Sequence, residues 1–203
     1  MKRVNPARLR VVAAGLATLA CAAAVASTAT AQSPSGSANA AVNSSAGNRY
    51  VRPADSLLKQ RLTKLQYAVT QDAYTESPFF NDYWNNHAAG IYVDVVSGQP
   101  LFSSTDKFDS KTGWPSFTKP IDAASVTTRP DHQLKEERTE VRSSGADSHL
   151  GHLFHDGPKP LGTRYCMNSA ALRFVPVDSM AAEGYGSYLT LFKKHQANRS
   201  PSK

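Results

Sequence analysis

The stretch Gly90-Ile91-Tyr92-Val93-Asp94-Val95-Val96 decides the fold class of this chain. β-Branched and aromatic residues dominate it, and the Ser97-Gly98-Gln99-Pro100 segment that follows is typical of a turn. A second run, Leu172-Arg173-Phe174-Val175, ends at Pro176. Several short runs separated by Gly and Pro predict a small, mainly antiparallel β domain.

Two short helices are predicted on the N-terminal side of this domain. Leucines recur at helical spacing in residues 55–71, and Thr63 with Gln66 has the spacing of a capping box that restarts the helix. The alternating charges around Glu140-Val141-Arg142 predict a half-exposed strand. The sequence therefore predicts a mainly β fold with short N-terminal helices.

Residues 1–31 have the layout of a secretory signal peptide. A basic segment without acids precedes an apolar run from Val11 to Ala26, and Ala29-Thr30-Ala31 forms a small-x-small cleavage site. The apolar run is shorter than the ~20 residues that span a bilayer as a helix. We therefore expect an exported protein, periplasmic or secreted, and an uncleaved membrane anchor is the less favoured alternative.

The rest of the chain divides into a linker, one domain and a tail. Residues 32–52 are Ser, Ala, Asn and Gly with few large apolar residues, which predicts a flexible linker. Residues 53–194 have the length of one ordinary domain, and we expect residues 195–203 to form a disordered tail.

Charge argues against a nucleic-acid partner. The formal net charge of +7 falls to +3 once the four basic residues of residues 1–31 are removed. No run of Lys and Arg interleaved with aromatic residues appears elsewhere. The sequence therefore predicts that nucleic acid is not a partner.

Cys166 is the only cysteine left after the predicted cleavage, because Cys21 lies in the export segment. Arg164 and Asn168 stand at alternate positions on either side of it, and on a strand all three share a face. A neighbouring cation lowers the pKa of a thiol, and an amide can donate a hydrogen bond to a developing oxyanion. The pattern predicts a reactive thiol and not a buried inert one.

Three of the six histidines fall in residues 149–156. On a regular strand His149 and His152 would point to opposite faces, unless Gly151 introduces a bulge. A zinc site is the rival interpretation of this cluster, but the spacing does not turn all three imidazoles to one side. We therefore predict neither a metal nor a cofactor.

Trp114 lies between Gly113 and Pro115, in a turn-like setting. An aromatic side chain there can be a core anchor or the wall of a pocket for a small apolar group. The residues alone leave these two interpretations open.

Three motifs together resemble the methionine-R-sulfoxide reductase (MsrB) family. They are Gly-Trp-Pro-Ser-Phe at 113–117, His-Leu-Gly-His at 149–152 and Arg-Tyr-Cys-x-Asn-Ser at 164–169, and they match in order and spacing. The resemblance extends from about residue 57 to residue 192. It implies that residues 53–194 form a methionine-R-sulfoxide reductase domain with that family's pair of small antiparallel sheets.

The resemblance also implies a catalytic set and a substrate-binding pair. The catalytic set is Cys166, His149, His152, Asn168, Arg164 and Asp156. The substrate-binding pair is Trp114 and Phe154. Cys166 is the implied nucleophile and becomes a sulfenic acid, while the histidines and the amide bind or protonate the sulfoxide oxygen. Arg164 stabilises the thiolate, Asp156 orients a histidine, and Trp114 holds the substrate methyl group.

The chain departs from the family pattern at five positions. Asp94, Ser97, Ser143 and Ala146 occupy the places of two zinc-binding cysteine pairs, so no structural zinc is expected. Thr112 occupies the place of the resolving cysteine, so a thioredoxin-like protein or a small thiol must regenerate Cys166. The remaining expected partners are oxidised proteins or peptides as substrate, and we expect a monomer.

Two rival functions remain open from the sequence. One is a thiol hydrolase that uses Cys166, a histidine and Asn168 for acyl transfer. The other is a module that binds oxidised methionine without turnover. An assay of sulfoxide reduction alongside ester hydrolysis separates these functions.

Overall fold

The computed structural model describes residues 49–197 of the chain. The predicted signal peptide and most of the predicted linker therefore lie outside the described residues, as do residues 198–203. Within the part that is described, no helix has the length and apolar character needed to cross a bilayer. A Cβ added at Gly145 would lie 2.5 Å from the carbonyl oxygen of Tyr50, so the end of the predicted linker packs against the domain.

Helices flank a central run of strands. The helices are α1 (Asp55–Arg61), α2 (Lys64–Asp72), α3 (Val177–Met180) and α4 (Thr190–Ala197). The strands are β1 (Gly90–Asp94), β2 (Pro100–Ser103), β3 (Lys107–Phe108), β4 (Ser116–Phe117), β5 (Val126–Asp131), β6 (Arg138–Ser143), β7 (His149–Phe154), β8 (Arg164–Met167) and β9 (Leu172–Pro176). Helix α4 continues three residues past the predicted domain boundary at residue 194.

The strands form two antiparallel sheets. One has three strands in the order β2-β1-β9, and the other has six in the order β3-β4-β8-β7-β6-β5. The predicted mainly β fold with two antiparallel sheets and short N-terminal helices is confirmed. The two short helices α3 and α4 after the last strand are absent from the prediction.

The predicted capping box starts α2. Thr63 accepts a hydrogen bond from the backbone N–H of Gln66 at 3.1 Å, and the Gln66 side chain accepts from the backbone N–H of Thr63 at 3.0 Å. These two bonds satisfy backbone donors that a helix start leaves unpaired. The helix therefore restarts at Lys64, as the sequence predicts.

Aromatic side chains join the two sheets. Phe102 of β2 stacks on Phe117 of β4 with ring centroids 4.6 Å apart, and Tyr92 of β1 packs edge-on against Phe117 at 5.0 Å. All three side chains are fully buried. Burial of apolar area of this kind is the main stabilising contribution to the fold. It also fixes β4, whose preceding loop carries Trp114, relative to the core.

The prediction of a half-exposed strand around residue 140 is wrong. The last four residues of β6 are buried, Glu140 and Arg142 among them, and the first two are half-buried. The two side chains form an ion pair of 2.7 Å, and Arg129 and His149 also bind Glu140. Burial of these charges is tolerated because each one has an oppositely charged or hydrogen-bonding partner.

Hydrogen bonds hold the turns at the positions that the family resemblance assigns to zinc ligands. The Asp94 carboxylate accepts from the N–H of Val96 at 2.9 Å and from the hydroxyls of Ser97 and Ser148 at 3.0 and 3.1 Å. Ala146 offers no donor atom, so these positions do not fit a zinc tetrad. In residues 49–197 no group of His, Cys, Asp or Glu is placed to hold a metal ion. The absence of zinc stays a prediction.

Candidate active site

A row of polar side chains crosses the six-stranded sheet. Ser116 on β4 is paired with Cys166 on β8, Cys166 with His152 on β7, and His152 with Glu140 on β6. Residues directly opposite each other on neighbouring antiparallel strands lie on the same face. Strand pairing therefore places the thiol beside an imidazole, with a carboxylate one strand further across the same face.

A bulge at Gly151 brings the two histidines together. The register between β6 and β7 shifts at this point, since Val141 pairs with Gly151 while the next residue pairs with His149. Gly151 has a φ of 154°, and an added Cβ would lie 2.1 Å from the carbonyl oxygen of Cys166. The bulge that the sequence left as a condition is present, and the His149 and His152 rings lie 5.5 Å apart between centroids.

A cavity of about 90 Å³ opens over Cys166. Its lining includes Cys166, His152, Asn168, Trp114 and Phe154, which are five of the eight predicted site residues. Thr75, Arg138, Gly151 and Met167 complete the lining. Trp114 is therefore a pocket wall, and its indole N–H donates to the carbonyl oxygen of Glu76 at 3.1 Å. A cavity of this size suits a side chain and not a folded polypeptide.

The predicted low pKa of Cys166 is wrong. Burial raises the pKa of the Cys166 thiol, and the Thr112 hydroxyl at 3.8 Å and the charge of Arg164 only partly oppose that effect. The Arg164 guanidinium is weakened as a partner because it forms a two-pronged ion pair with Asp156, with both N–O distances 2.8 Å. A pre-formed thiolate is therefore a minor form at neutral pH.

Asp156 does not orient a histidine. Its side chain is 63% exposed and binds Arg164, which in turn stacks on the Phe154 ring at 4.2 Å from the centroid. The function that the family resemblance assigned to Asp156 belongs to other carboxylates. Asp156 and Arg164 instead hold the outer end of β8 against the pocket wall at Phe154.

Glu140 and Asp131 orient the histidines. Glu140 contacts His149 Nδ1 at 2.6 Å, and Asp131 contacts His152 Nε2 at 2.7 Å. Burial disfavours ionisation of Asp131, but hydrogen bonds from Gln133 N–H, His152 and Arg138 outweigh it and lower its pKa to about 2. Burial lowers the pKa of both histidines, with the carboxylates opposing that effect. Both imidazoles are therefore mainly neutral near pH 7, each donating one N–H to its carboxylate.

His149 is buried and does not line the cavity. Its Nε2 is buried, and no described residue forms a hydrogen bond with it. The ring packs edge-on against His152. His149 therefore supports the imidazole that faces the thiol.

Asn168 is held from two sides. Its Oδ1 accepts from the backbone N–H of Glu76 at 3.1 Å, and its Nδ2 donates to the carbonyl oxygen of Leu150 at 3.2 Å. An amide nitrogen has two hydrogens, so one remains for a ligand in the cavity. This arrangement agrees with the predicted use of Asn168 as a donor to an oxygen atom.

Comparison with known proteins identifies the family. The sequence model of the SelR domain matches residues 62–176, more than half of the chain. The chain belongs to the SelR domain family. The predicted membership in the methionine-R-sulfoxide reductase family is confirmed. All eight site residues predicted from the motifs lie within the part of the chain that matches the SelR domain.

A curated relative extends this match. A protein of Vibrio cholerae serotype O1 named peptide methionine sulfoxide reductase MsrA/MsrB is 64% identical over 144 residues. The alignment covers 71% of this chain and 38% of the relative. The chain thus spans well under half the length of that protein.

Asp156→Asn tests how Arg164 acts on the thiol in this SelR domain. Removing the carboxylate charge leaves more of the Arg164 charge to act on Cys166, so the pKa of Cys166 should fall. Alkylation of Cys166 by iodoacetamide at pH 7 should become about two- to threefold faster, a modest change because Asp156 is exposed. Mass spectrometry of the Cys166 peptide gives the rate.

The control is Glu183→Gln, which removes the exposed carboxylate paired with Arg173 at 2.6 Å, outside the cavity lining. It should leave the alkylation rate unchanged. Slower alkylation in Asp156→Asn would show that Asp156 acts by holding Arg164 in place and not by neutralising it.

Proposed function

We propose that this chain reduces the R epimer of methionine sulfoxide, carried by oxidised proteins or peptides, to methionine. The cavity over Cys166 carries the proposal, because it combines a thiol, an imidazole, an amide donor and an indole wall around a side-chain-sized space. Membership of the SelR family and the name of the Vibrio cholerae relative support it.

The first step is attack of the Cys166 thiolate on the sulfoxide sulfur. The attack forms a bond between the two sulfur atoms. The protonated oxygen then moves to the Cys166 sulfur while the sulfur–sulfur bond and the methionine sulfur–oxygen bond break, so methionine leaves and Cys166 is a sulfenic acid. Asn168 donates a hydrogen bond to the sulfoxide oxygen, and His152 supplies a proton to it. Trp114 and Phe154 hold the apolar methyl group, and this arrangement selects one epimer at sulfur.

His152 suits proton transfer because it couples the cavity to Asp131. The carboxylate favours the imidazolium form and burial disfavours it. A buried thiol and a neutral imidazole on the same face can exchange a proton, which yields the thiolate and imidazolium pair that the attack needs. The raised pKa of Cys166 and the lowered pKa of His152 make this pair a minor form until substrate binds.

The second half of the cycle uses an external reductant. Among the described residues Cys166 is the free cysteine, and the Thr112 hydroxyl, on the loop before Trp114, lies 3.8 Å from its sulfur. One outside thiol displaces water from the sulfenic acid to form a mixed disulfide, and a second thiol releases Cys166. A small dithiol or a thioredoxin-like protein supplies both, and export would place this reaction in the periplasm or outside the cell.

The test is reduction of a peptide that carries racemic methionine sulfoxide, with dithiothreitol as reductant. We expect consumption of the R epimer alone, so conversion should stop near one half. Separation of the epimers by chromatography follows each of them. Equal consumption of both epimers, or ester hydrolysis without sulfoxide reduction, would refute the proposal.

A further inference from the structure

The segment from Thr75 to Tyr83 crosses the site between α2 and β1 without regular structure. Trp114 lies on one side of this segment, and Asn168, which directly follows β8, lies on the other. Most of the segment is exposed, but Glu76 is only 4% exposed. A carboxylate buried to this degree needs hydrogen-bonding partners, since burial of an unpaired charge is costly.

The backbone of Glu76 contacts both walls of the cavity. Its N–H donates to Asn168 Oδ1 at 3.1 Å, and its carbonyl oxygen accepts from Trp114 Nε1 at 3.1 Å. The first bond sets which end of the Asn168 amide faces Glu76, and so leaves the Nδ2 hydrogens for Leu150 and the cavity. The second bond fixes the plane of the indole.

The side chain of Glu76 holds this backbone in place. Its carboxylate accepts from the backbone N–H of Ser169 and from that of Ala170 at 3.0 Å. These residues begin the short 3₁₀ turn that directly follows Asn168. The carboxylate therefore ties Glu76 to the segment that contains Asn168, whose side-chain amide the Glu76 backbone orients. Glu76 and Asn168 are 92 residues apart in the chain.

We propose that Glu76 is a positioning residue for sulfoxide binding: its anchored backbone sets the orientation of the Trp114 indole and the Asn168 amide together. This inference rests on the proposed function and adds a residue that contacts neither the substrate nor Cys166. Its neutral isostere, Gln, keeps one acceptor oxygen but turns an NH₂ group toward a backbone N–H. One anchoring bond is lost and a donor–donor contact appears.

A second bridge keeps the segment attached when Glu76 is changed. Asn81 accepts from the Ser169 hydroxyl at 2.6 Å and donates to the carbonyl oxygen of Gly113 at 2.8 Å. This bridge contacts neither the Trp114 indole nor the Asn168 side chain. A Glu76 variant should therefore fold while losing the alignment of these two groups.

The experiment compares Glu76→Gln with the wild type in the full chain. We expect KM for a methionine sulfoxide peptide to rise at least about tenfold, with a smaller fall in kcat, because binding groups are misaligned. The alkylation rate of Cys166 by iodoacetamide, followed on its own peptide, should stay within about twofold. In a Trp84→Phe background, Trp114 is the single tryptophan, and its emission should shift to longer wavelength in Glu76→Gln.

The matched control is Leu58→Ala, which removes a buried side chain from a cluster with Val96 and Ala146. It should lower Tm by as much as Glu76→Gln or more, and leave KM and the Trp114 emission unchanged. The inference is overturned if Glu76→Gln keeps KM and emission of the wild type, or if Leu58→Ala changes both equally. If the wild type fails to reduce the peptide, the proposed function fails, while the emission shift still reports on Glu76.

Discussion

Cys166→Ser should abolish sulfoxide reduction, with a loss of at least about 10²-fold in rate. A serine hydroxyl is nearly isosteric with the thiol, but it is a far weaker nucleophile toward sulfur at neutral pH. The hydroxyl can keep the contact with Thr112, so the strand and the cavity should persist. The measurement is the initial rate with a methionine-R-sulfoxide peptide and dithiothreitol, together with Tm.

The control is Cys21→Ser in the same full chain. It replaces the other cysteine, which lies in the predicted export segment, and should leave the rate unchanged. Activity of Cys166→Ser above about a tenth of the wild-type rate would contradict the assignment of the nucleophile, since loss of a reacting group has much larger effects. Loss of activity in Cys21→Ser would show that the second thiol takes part in the cycle.

Features set by neighbours in sequence were predictable. The capping box of Thr63 and Gln66 depends on residues three apart, and the structure contains it. A bulge at Gly151 was stated as a condition, because two histidines three residues apart can share a face only if the strand is irregular, and the register of β6 and β7 shifts there. The order of the three motifs was enough to identify the family and its two sheets.

Features set by pairing between distant segments were not predictable in the same way. The family resemblance assigned Asp156 to a histidine, but Asp156 lies past the end of β7 and binds Arg164 of β8. The carboxylate that binds His149 is Glu140, on the neighbouring strand. The alternating charges around Glu140 predicted a strand. No neighbouring residue in the sequence indicated that the charged face of that strand would be buried against the histidines.

The pKa of Cys166 shows a related failure. The sequence placed Arg164 beside the thiol and so predicted a lowered pKa. It contained no measure of burial, and burial is the larger effect. The sequence also did not indicate that Arg164 forms an ion pair with Asp156. Glu76 gave no signal at all, because its partners lie about 90 residues away along the chain.

Thr112→Cys should create a disulfide with Cys166 after one turnover. The Thr112 hydroxyl lies 3.8 Å from the Cys166 sulfur, and the family resemblance assigns the resolving cysteine to the position of Thr112. A cysteine there would need its sulfur to approach to about 2.0 Å, a movement available to a loop that contains Gly113. The sulfenic acid on Cys166 would then react within the chain, with loss of water.

The bridge should appear as loss of two free thiols in the chain that lacks residues 1–31, after oxidation by one equivalent of substrate. Recycling by a thioredoxin-like protein should become at least about tenfold faster relative to dithiothreitol, because a disulfide is the bond that such a dithiol attacks. Peptide mass spectrometry locates the bridge, and steady-state rates with each reductant measure recycling.

The matched variant is Lys111→Cys, one residue earlier on the same loop. The Lys111 side chain is 84% exposed and pairs with Asp109, so a cysteine there should keep its thiol and leave Cys166 as a sulfenic acid. Equal bridging by the two variants would mean that the loop samples many positions and that the contact at Thr112 is not special. No bridge in Thr112→Cys would mean that the loop carrying Trp114 does not close over Cys166 during turnover. Since Trp114 is on that loop, the second result would also remove the basis for selecting one epimer, and the stall at half conversion should then disappear with it.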